Sequence, residues 1–546
     1  MTAEPAVATG YRDFRRHLRD LDDAGLLVTV DEPIDKDTEL HPLVRWQFCG
    51  GIAEPDRRAF LFTDVRDGAG HGFDVRVAVG ALAASRAIYA TALGCDLARV
   101  GEVWRRAIDV PRAPVEVSSA PCQEIVREGA ALREPFGGLD GLPVPISTPG
   151  WDNAPYLSAG HFVTRDPDTG IQNIGNYRGQ LKARDRLGVM VLQTFDQGIT
   201  PHWRKAKARG ERLPCAVVLG PPPAVSLAAV NKLPPDLDEL AVAGALVGQA
   251  IPVVACRTVD VLVPADAELV IEGWIDTELL EPEGPFGESH GYVSPQEYNG
   301  FLEVTAITRR HDAVLPSIIS QVTPSESSMI KLVSYEASFL AHLRRIGIHG
   351  VDSVFLHERL TNLRKVVVLR FDDRHDDANV WRALHAAASF QSAVGKLVVA
   401  VDADIDPADS DSLLWAMSYR MDPRSDLELM GHRTWGHGPP PISADGGDGA
   451  LLMDATLKKP YPPIALPRRE FMERARAIWE RLGLPPLTPQ PPWYGYSLGD
   501  WSSALEDEAT LAVQGRYWET GDAAVARRRG DVAMNTPVDD LPPPSE

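Results

Sequence analysis

The sequence predicts a multi-domain α+β chain: an α/β domain near each end and a β-rich domain between them. Three observations predict it. At 546 residues the chain exceeds what one core ordinarily serves, so two or three domains are expected. Hydrophobic residues make up 44% and charged residues 24%, the proportions of a soluble globular protein. Helix and strand signals alternate toward both ends, whereas the middle is dominated by strand-like runs between Pro- and Gly-rich turns.

The first domain is placed at residues 1–115. Phe14, Leu18 and Leu21 recur at helical spacing, Gly25 ends that helix, and Leu26 to Val30 reads as a strand. Pro111, Pro114 and Pro121 mark a linker. The second domain, 116–312, carries strand-like runs at His161 to Thr164, Cys215 to Leu219, Pro252 to Val263 and Glu268 to Ile275. That texture suits a β-barrel or sandwich with a few inserted helices. In the third domain, 313–525, Val366 to Phe371 and Lys396 to Val401 read as buried strands and Asp411 to Tyr419 as a helix. Residues 436–449 read as a mobile loop and a candidate lid. The polar, proline-rich tail at 526–546 is expected to be disordered. The aromatic stretch Trp493 to Tyr496 suggests docking on the body of the protein or on a partner subunit.

A net charge of −21 argues against nucleic acid as the partner, because phosphate binding relies on clustered Lys and Arg. The basic run from Trp203 to Arg209 is read as a solvated helix face. Five scattered cysteines, with no CxxC or Cys/His cluster, support neither a disulfide framework nor a zinc site. The N-terminus lacks the pattern of a signal peptide, and a cytoplasmic location is expected. Leu240 to Cys256 carries no charge but falls short of the roughly 20 residues a membrane span needs. A buried helix running into a buried strand accounts for it, and no membrane partner is expected.

The stretch Glu283-Gly-Pro-Phe-Gly-Glu288-Ser-His-Gly-Tyr292 is the strongest chemical signal. Pro282 and Pro285 exclude a helix, and Gly284 and Gly287 supply bare backbone for close approach of a ligand. Two carboxylates on such a loop can place a proton donor beside a group that tunes it. The same stretch formally contains a GxSxG serine-hydrolase elbow around Ser289, although Pro295 opposes the helix that an elbow needs. Asp402, Asp404 and Asp406 resemble the start of a calcium loop but lack its later Gly and Glu, so a strand end leading into a helix N-terminus is expected. Neither a dinucleotide fingerprint nor a P-loop is present. Asn173 to Arg178 follows a turn and reads as strand, with Arg178 either a surface charge or a clamp for a substrate carboxylate.

Taken together the chain resembles the UbiD family of prenylated-FMN-dependent decarboxylases over roughly residues 10–460. The resemblance rests on Asn173-x4-Arg178, His202, Leu213 to Gly220, Asp238 to Gly244, Glu283-Gly-Pro-Phe-Gly-Glu288 and Lys396-x5-Asp402-x-Asp404-x-Asp406, in that order. It implies an N-terminal α/β domain, a central split β-barrel that binds the flavin, and a C-terminal α/β domain used in oligomerisation. It implies that Arg178, Glu283 and Glu288 form a catalytic network. Asn173, His202 and Glu239 resemble ligands of Mn2+ or Mg2+ beside the cofactor phosphate, and Lys396 resembles a lysine on that phosphate. Arg178 also contacts the cofactor in such a site, and K+ is expected near Ala229 to Asn231.

The activity so implied is reversible non-oxidative decarboxylation of an aromatic, heteroaromatic or α,β-unsaturated acid through a covalent adduct with prenylated FMN. Glu288 delivers the proton, Arg178 orients the carboxylate, and Glu283 with Arg178 sets the acidity of Glu288. His290, Gln321 to Met329 and the 436–449 loop are further pocket candidates. The implied partners are the acid substrate, a flavin prenyltransferase as cofactor supplier, and further copies of the chain in a homodimer or larger homo-oligomer. Two readings stand beside this one: a serine hydrolase acting through Ser289, and a flavin-binding subunit with no chemistry of its own.

Overall fold

The computed structural model describes residues 11–191, 198–231, 233, 237–372, 376–391, 394–434, 447–459, 461–497, 499, 502–530 and 532–538. They form two compact units: one runs to Val401 and includes Asp422–Asp454, and the other comprises Asp402–Met421 and the chain from Ala455. The 436–446 part of the candidate lid lies outside the described residues.

In the first unit the expected N-terminal helix spans Phe14–Asp23, capped by Asp13, with Phe14, Leu18 and Leu21 buried. Strand Leu27–Val30 opens a four-stranded sheet with Ala59–Phe62, Arg76–Val79 and Val314–Ser317, in that order. The last of these lies beyond the domain boundary expected at 312. It pairs in parallel with Arg76–Val79, more than 200 positions away, a link no local pattern reveals.

The central sheet positions the site. Its strands are β1 (Tyr156–Leu157), β2 (His161–Arg165), β3 (Gln172–Asn176), β4 (Gly179–Ala183), β5 (Arg186–Val189), β6 (Leu213–Leu219), β7 (Leu269–Ile275), β8 (Glu281–Glu283) and β11 (Glu297–Arg309). Between the last two, β9 (Phe286–Gly287) and β10 (Val293–Ser294) make a small hairpin. The main ladder runs β3-β2-β6-β7-β11-β5-β4-β1, with β8 and Ile125–Glu128 also on β11. Its two ends, β3 and β1, are not paired with each other among the described residues. Chain neighbours β3 and β4 therefore sit near opposite ends of the ladder, and Tyr177-Arg178 crosses the seam between them. The inward faces are dense in Val, Ile and Leu, all of β6 except Pro214 being buried.

The expected strand Pro252 to Val263 is two antiparallel strands, Pro252–Ala255 and Leu262–Pro264. The break has a physical cause: the Arg257 and Thr258 amides turn away to the buried carboxylate of Glu272. Helices α1 (Ile199–Ala208) and α2 (Glu239–Leu246) pack on this sheet, α2 capped by the Asp238 side chain. A five-stranded sheet follows, ordered Val351–Leu356, Val366–Phe371, Leu397–Asp402, Gly447–Asp454, Leu427–Thr434.

In the second unit Arg420 bonds Asp402 and Asp404, so these aspartates serve an arginine rather than a calcium loop. Helix Ser410–Tyr419 follows them, capped by Asp409. Trp493 meets Trp415 edge to face at 5.0 Å, whereas helices Arg469–Arg481, Ser503–Val513 and Tyr517–Ala526 bury no residue. The last of these ends where the disordered tail is expected to begin, and residues 539–546 lie outside the described residues. No helix among the described residues is long and apolar enough to cross a membrane.

Candidate active site

The glutamate loop is a hairpin. Phe286 pairs with Ser294 and Gly287 with Val293, and the Glu288 N–H donates to the Tyr292 carbonyl at 3.0 Å. Strand alternation turns Phe286 and Glu288 to one face and Gly287 to the other. A Cβ on Gly287 would stand 2.2 Å from Thr148 Oγ1, so only glycine fits there. Ser289 occupies the turn of this hairpin and a strand follows it, so the strand-turn-helix of a nucleophile elbow is absent.

Arg178 meets both glutamates. Its Nε and Nη2 donate to Glu283 at 2.9 and 2.7 Å, a bidentate fork, while Nη1 donates to Glu288 and, at 3.2 Å, to Ser294 Oγ. Its guanidinium also lies 5.2 Å from the Phe286 ring centre. The surface reading of Arg178 fails, since its side chain is 9% exposed. Burial works against its charged form, and Glu288 and Glu283 more than offset that, so its pKa stands above the ordinary guanidinium value.

The two glutamates are not equivalent. Glu283 is 0% exposed and holds two contacts to the arginine; Glu288 is 12% exposed and holds one. Glu288 is the member of the trio that solvent or substrate reaches.

The three expected metal ligands gather around β3. Asn173 lies opposite Thr164 on β2, and Thr164 Oγ1 bonds His202 Nδ1 at 2.9 Å. Glu239, the first residue of α2, accepts the Ile174 N–H at 3.4 Å. Burial pushes the Glu239 carboxyl up to about 7 and lowers the His202 imidazole. Thr164 holds one ring nitrogen of His202, and the other, Nε2, lies 3.9 Å from Asp166. A Cβ on Gly198 would fall 1.9 Å from Asn173 Oδ1, so the chain leaves that amide a bare neighbour. Amide oxygen, imidazole nitrogen and carboxylate fit a hard or borderline divalent cation. No group of three or more His, Cys, Asp or Glu among the described residues is placed to hold a metal ion by itself. Lys396 directly precedes the strand Leu397–Asp402 of the five-stranded sheet and pairs with Asp448 at 2.9 Å. Asn231, near the expected K+ position, is 7% exposed, and neither of its amide atoms has a partner among the described residues.

Residues 114–322 match the family model of the 3-octaprenyl-4-hydroxybenzoate carboxy-lyase Rift-related domain, and residues 328–454 that of its C-terminal domain. The chain belongs to the UbiD family. An uncharacterized protein of Synechocystis sp. is 30% identical over 385 residues, 70% of this chain and 72% of that protein. Among solved structures, the UbiD-class enzyme HmfF from Pelotomaculum thermopropionicum in complex with FMN superposes with TM-score 0.73 at 30% identity. The match covers 85% of this chain and 100% of that one. The 3,4-dihydroxybenzoic acid decarboxylase of Klebsiella pneumoniae gives 0.70 at 25% identity, over 85% and 99%. The UbiD family consists of carboxy-lyases, and this chain is one of them.

Four side chains at the site had no individual sequence signal: Thr164 behind His202, Ser294 behind Arg178, and Asp152 and Tyr156 beneath the loop. A turn signal at Ser289-His-Gly291, read as a hairpin, would have returned Ser294 to Phe286. The other three act across strands.

Proposed function

We propose that this UbiD-family chain catalyses reversible, non-oxidative decarboxylation of an aromatic, heteroaromatic or α,β-unsaturated carboxylic acid with prenylated FMN. The observation that carries the reading is the single guanidinium of Arg178 shared between a fully buried Glu283 and a reachable Glu288. HmfF has also been solved in complex with prFMN, in an evolved dimeric form with 30% identity to this chain. When bound, prenylated FMN supplies an electrophilic carbon and a sink for the electrons released as carbon dioxide departs. Asn173, His202 and Glu239 would hold Mn2+ or Mg2+, Lys396 would exchange Asp448 for the flavin phosphate, and K+ would sit near Ala229 to Asn231.

The chain's own residues do the rest. Arg178 orients the substrate carboxylate with the guanidinium face left by Glu288. Glu288, the more exposed of the two carboxyls, is the proton donor and delivers its proton to the carbon that carbon dioxide has left. Glu283 keeps Arg178 in place throughout. A homodimer or larger homo-oligomer and supply of the cofactor by a flavin prenyltransferase complete the proposal.

The test is the protein co-expressed with a flavin prenyltransferase, its bound cofactor weighed by mass spectrometry, and carbon dioxide release measured over aryl, heteroaryl and acrylic acids. Glu288→Gln should retain the flavin spectrum and lose at least about 10²-fold in turnover. Undiminished turnover in that variant sinks the assignment.

A further inference from the structure

One short segment, Thr148 to Leu157, touches both halves of the Arg178–glutamate network. Its strand β1 pairs with β4, Tyr156 opposite Gln180 and Leu157 opposite Gly179, the residue after Arg178. Two of its side chains reach the glutamate loop. Tyr156 Oη accepts the Gly284 N–H at 3.1 Å, and Asp152 Oδ1 accepts the Gly287 N–H at 2.9 Å. Gly284 follows Glu283 and Gly287 precedes Glu288, so one amide beside each carboxylate is held.

Both holders are built in. Tyr156 is 0% exposed, its ring 4.4 Å from Phe286, and its hydroxyl also reaches the Pro285 carbonyl at 3.4 Å. Asp152 is 8% exposed, and its second oxygen accepts the Thr148 N–H at 2.7 Å. Burying a carboxylate is unfavourable: it raises the pKa of Asp152 above the usual carboxylate range, and the amides of Thr148 and Gly287 offset part of that. An apolar residue would fill the space without this cost, but it would leave the Gly287 amide unheld.

We infer that Asp152 and Tyr156 are positioning residues, which fix the spacing of Glu283 and Glu288 against Arg178 by carrying the register of the β1–β4 pairing into the glutamate loop. This rests on the proposed decarboxylase reading. Gly-Pro-Phe-Gly between the glutamates has no helix or long ladder of its own, so its place is set by what its amides bond. A misplacement of about 1 Å in a catalytic group can cost about 10²-fold in rate.

The test uses the holoenzyme and the variants Asp152→Ala, Asp152→Asn and Tyr156→Phe. Asp152→Ala should lower kcat by about 10- to 100-fold with KM changed less than about threefold, at unchanged cofactor absorbance. Asp152→Asn keeps an oxygen for the Gly287 amide but turns its NH2 toward the Thr148 N–H, so it should recover part of that loss. Tyr156→Phe should fall in kcat as well. Amide hydrogen exchange should quicken in peptides covering Gly284 to Glu288 in Asp152→Ala and Tyr156→Phe, with β6 and β7 as protected as in the wild type. Wild-type kcat and wild-type exchange in Asp152→Ala would overturn the inference. Faster exchange across the whole barrel with loss of cofactor would overturn it too, since that marks a purely structural role. A wild-type protein inert toward every acid removes the decarboxylase reading, while the exchange experiment still judges the loop contacts.

Discussion

Arg178 gives its two-pronged face to the glutamate that solvent never touches, and this ranks the pair. Replacing it with lysine keeps the charge and loses the fork. Arg178→Lys is expected to lower kcat/KM by about 10²- to 10³-fold, measured as carbon dioxide release under steady state, with both kcat and KM affected because the residue serves substrate and loop alike. Glu239 carries a different expectation. Glu239→Gln should leave the fold intact and reduce bound Mn2+ about 10-fold or more, read by elemental analysis after dialysis. Residues of this kind were unevenly legible. The two glutamates announce themselves because prolines and glycines isolate them. His202 carries no local sign, since its partner Thr164 lies 38 positions away, and it became a candidate only through the family resemblance.

The hairpin Phe286 to Ser294 is the element on which the site turns. Gly287→Ala would press a methyl group against Thr148 and Gln321. Such crowding costs about 1–3 kcal/mol. The variant should melt roughly 2–4 °C lower and lose activity, with the second change Thr148→Ala restoring part of the melting temperature. Elements were legible where periodicity and punctuation agree, as in Phe14–Asp23 or Val366–Phe371. They were illegible where a distant side chain decides: the amides at Arg257 and Thr258 turn to Glu272 in the middle of a 252–264 run rich in valine.

Across the whole molecule, buried titratable groups shape how stability follows pH. Burial pushes Glu239, Glu326 and Glu336 up to about 7. A raised folded pKa means that the folded chain keeps protons that the unfolded chain gives up, so this contribution is complete below the unfolded value near about 4.3 and is lost as pH rises to about 7. His17, His41 and His161, lowered by burial to about 4, 4 and 3, act oppositely and are fully favourable only above about 6.5. The two sets offset each other through mild acid, and the carboxyls remain alone above it. The metal-free protein should therefore show a denaturation midpoint that falls between about pH 6.5 and 7.5, and Glu326→Gln should flatten that fall. At this scale the multi-domain α+β reading was legible from texture. The joining of residues 314–317 to the first sheet was not, because parallel partners leave no signature in either segment.

The seam of the central sheet has one more consequence, and it concerns time. Arg178 lies 105 positions ahead of Glu283 and 110 ahead of Glu288. At translation rates of about 5–20 residues per second, the arginine leaves the ribosome roughly 5–20 s before its counter-charges exist. Until the strand Glu297–Arg309 arrives, the ladder has no strand to join β7 to β5. The ladder can be completed and the guanidinium buried between both carboxylates only after those carboxylates are made, so assembly of this site is a late event in the life of each new chain.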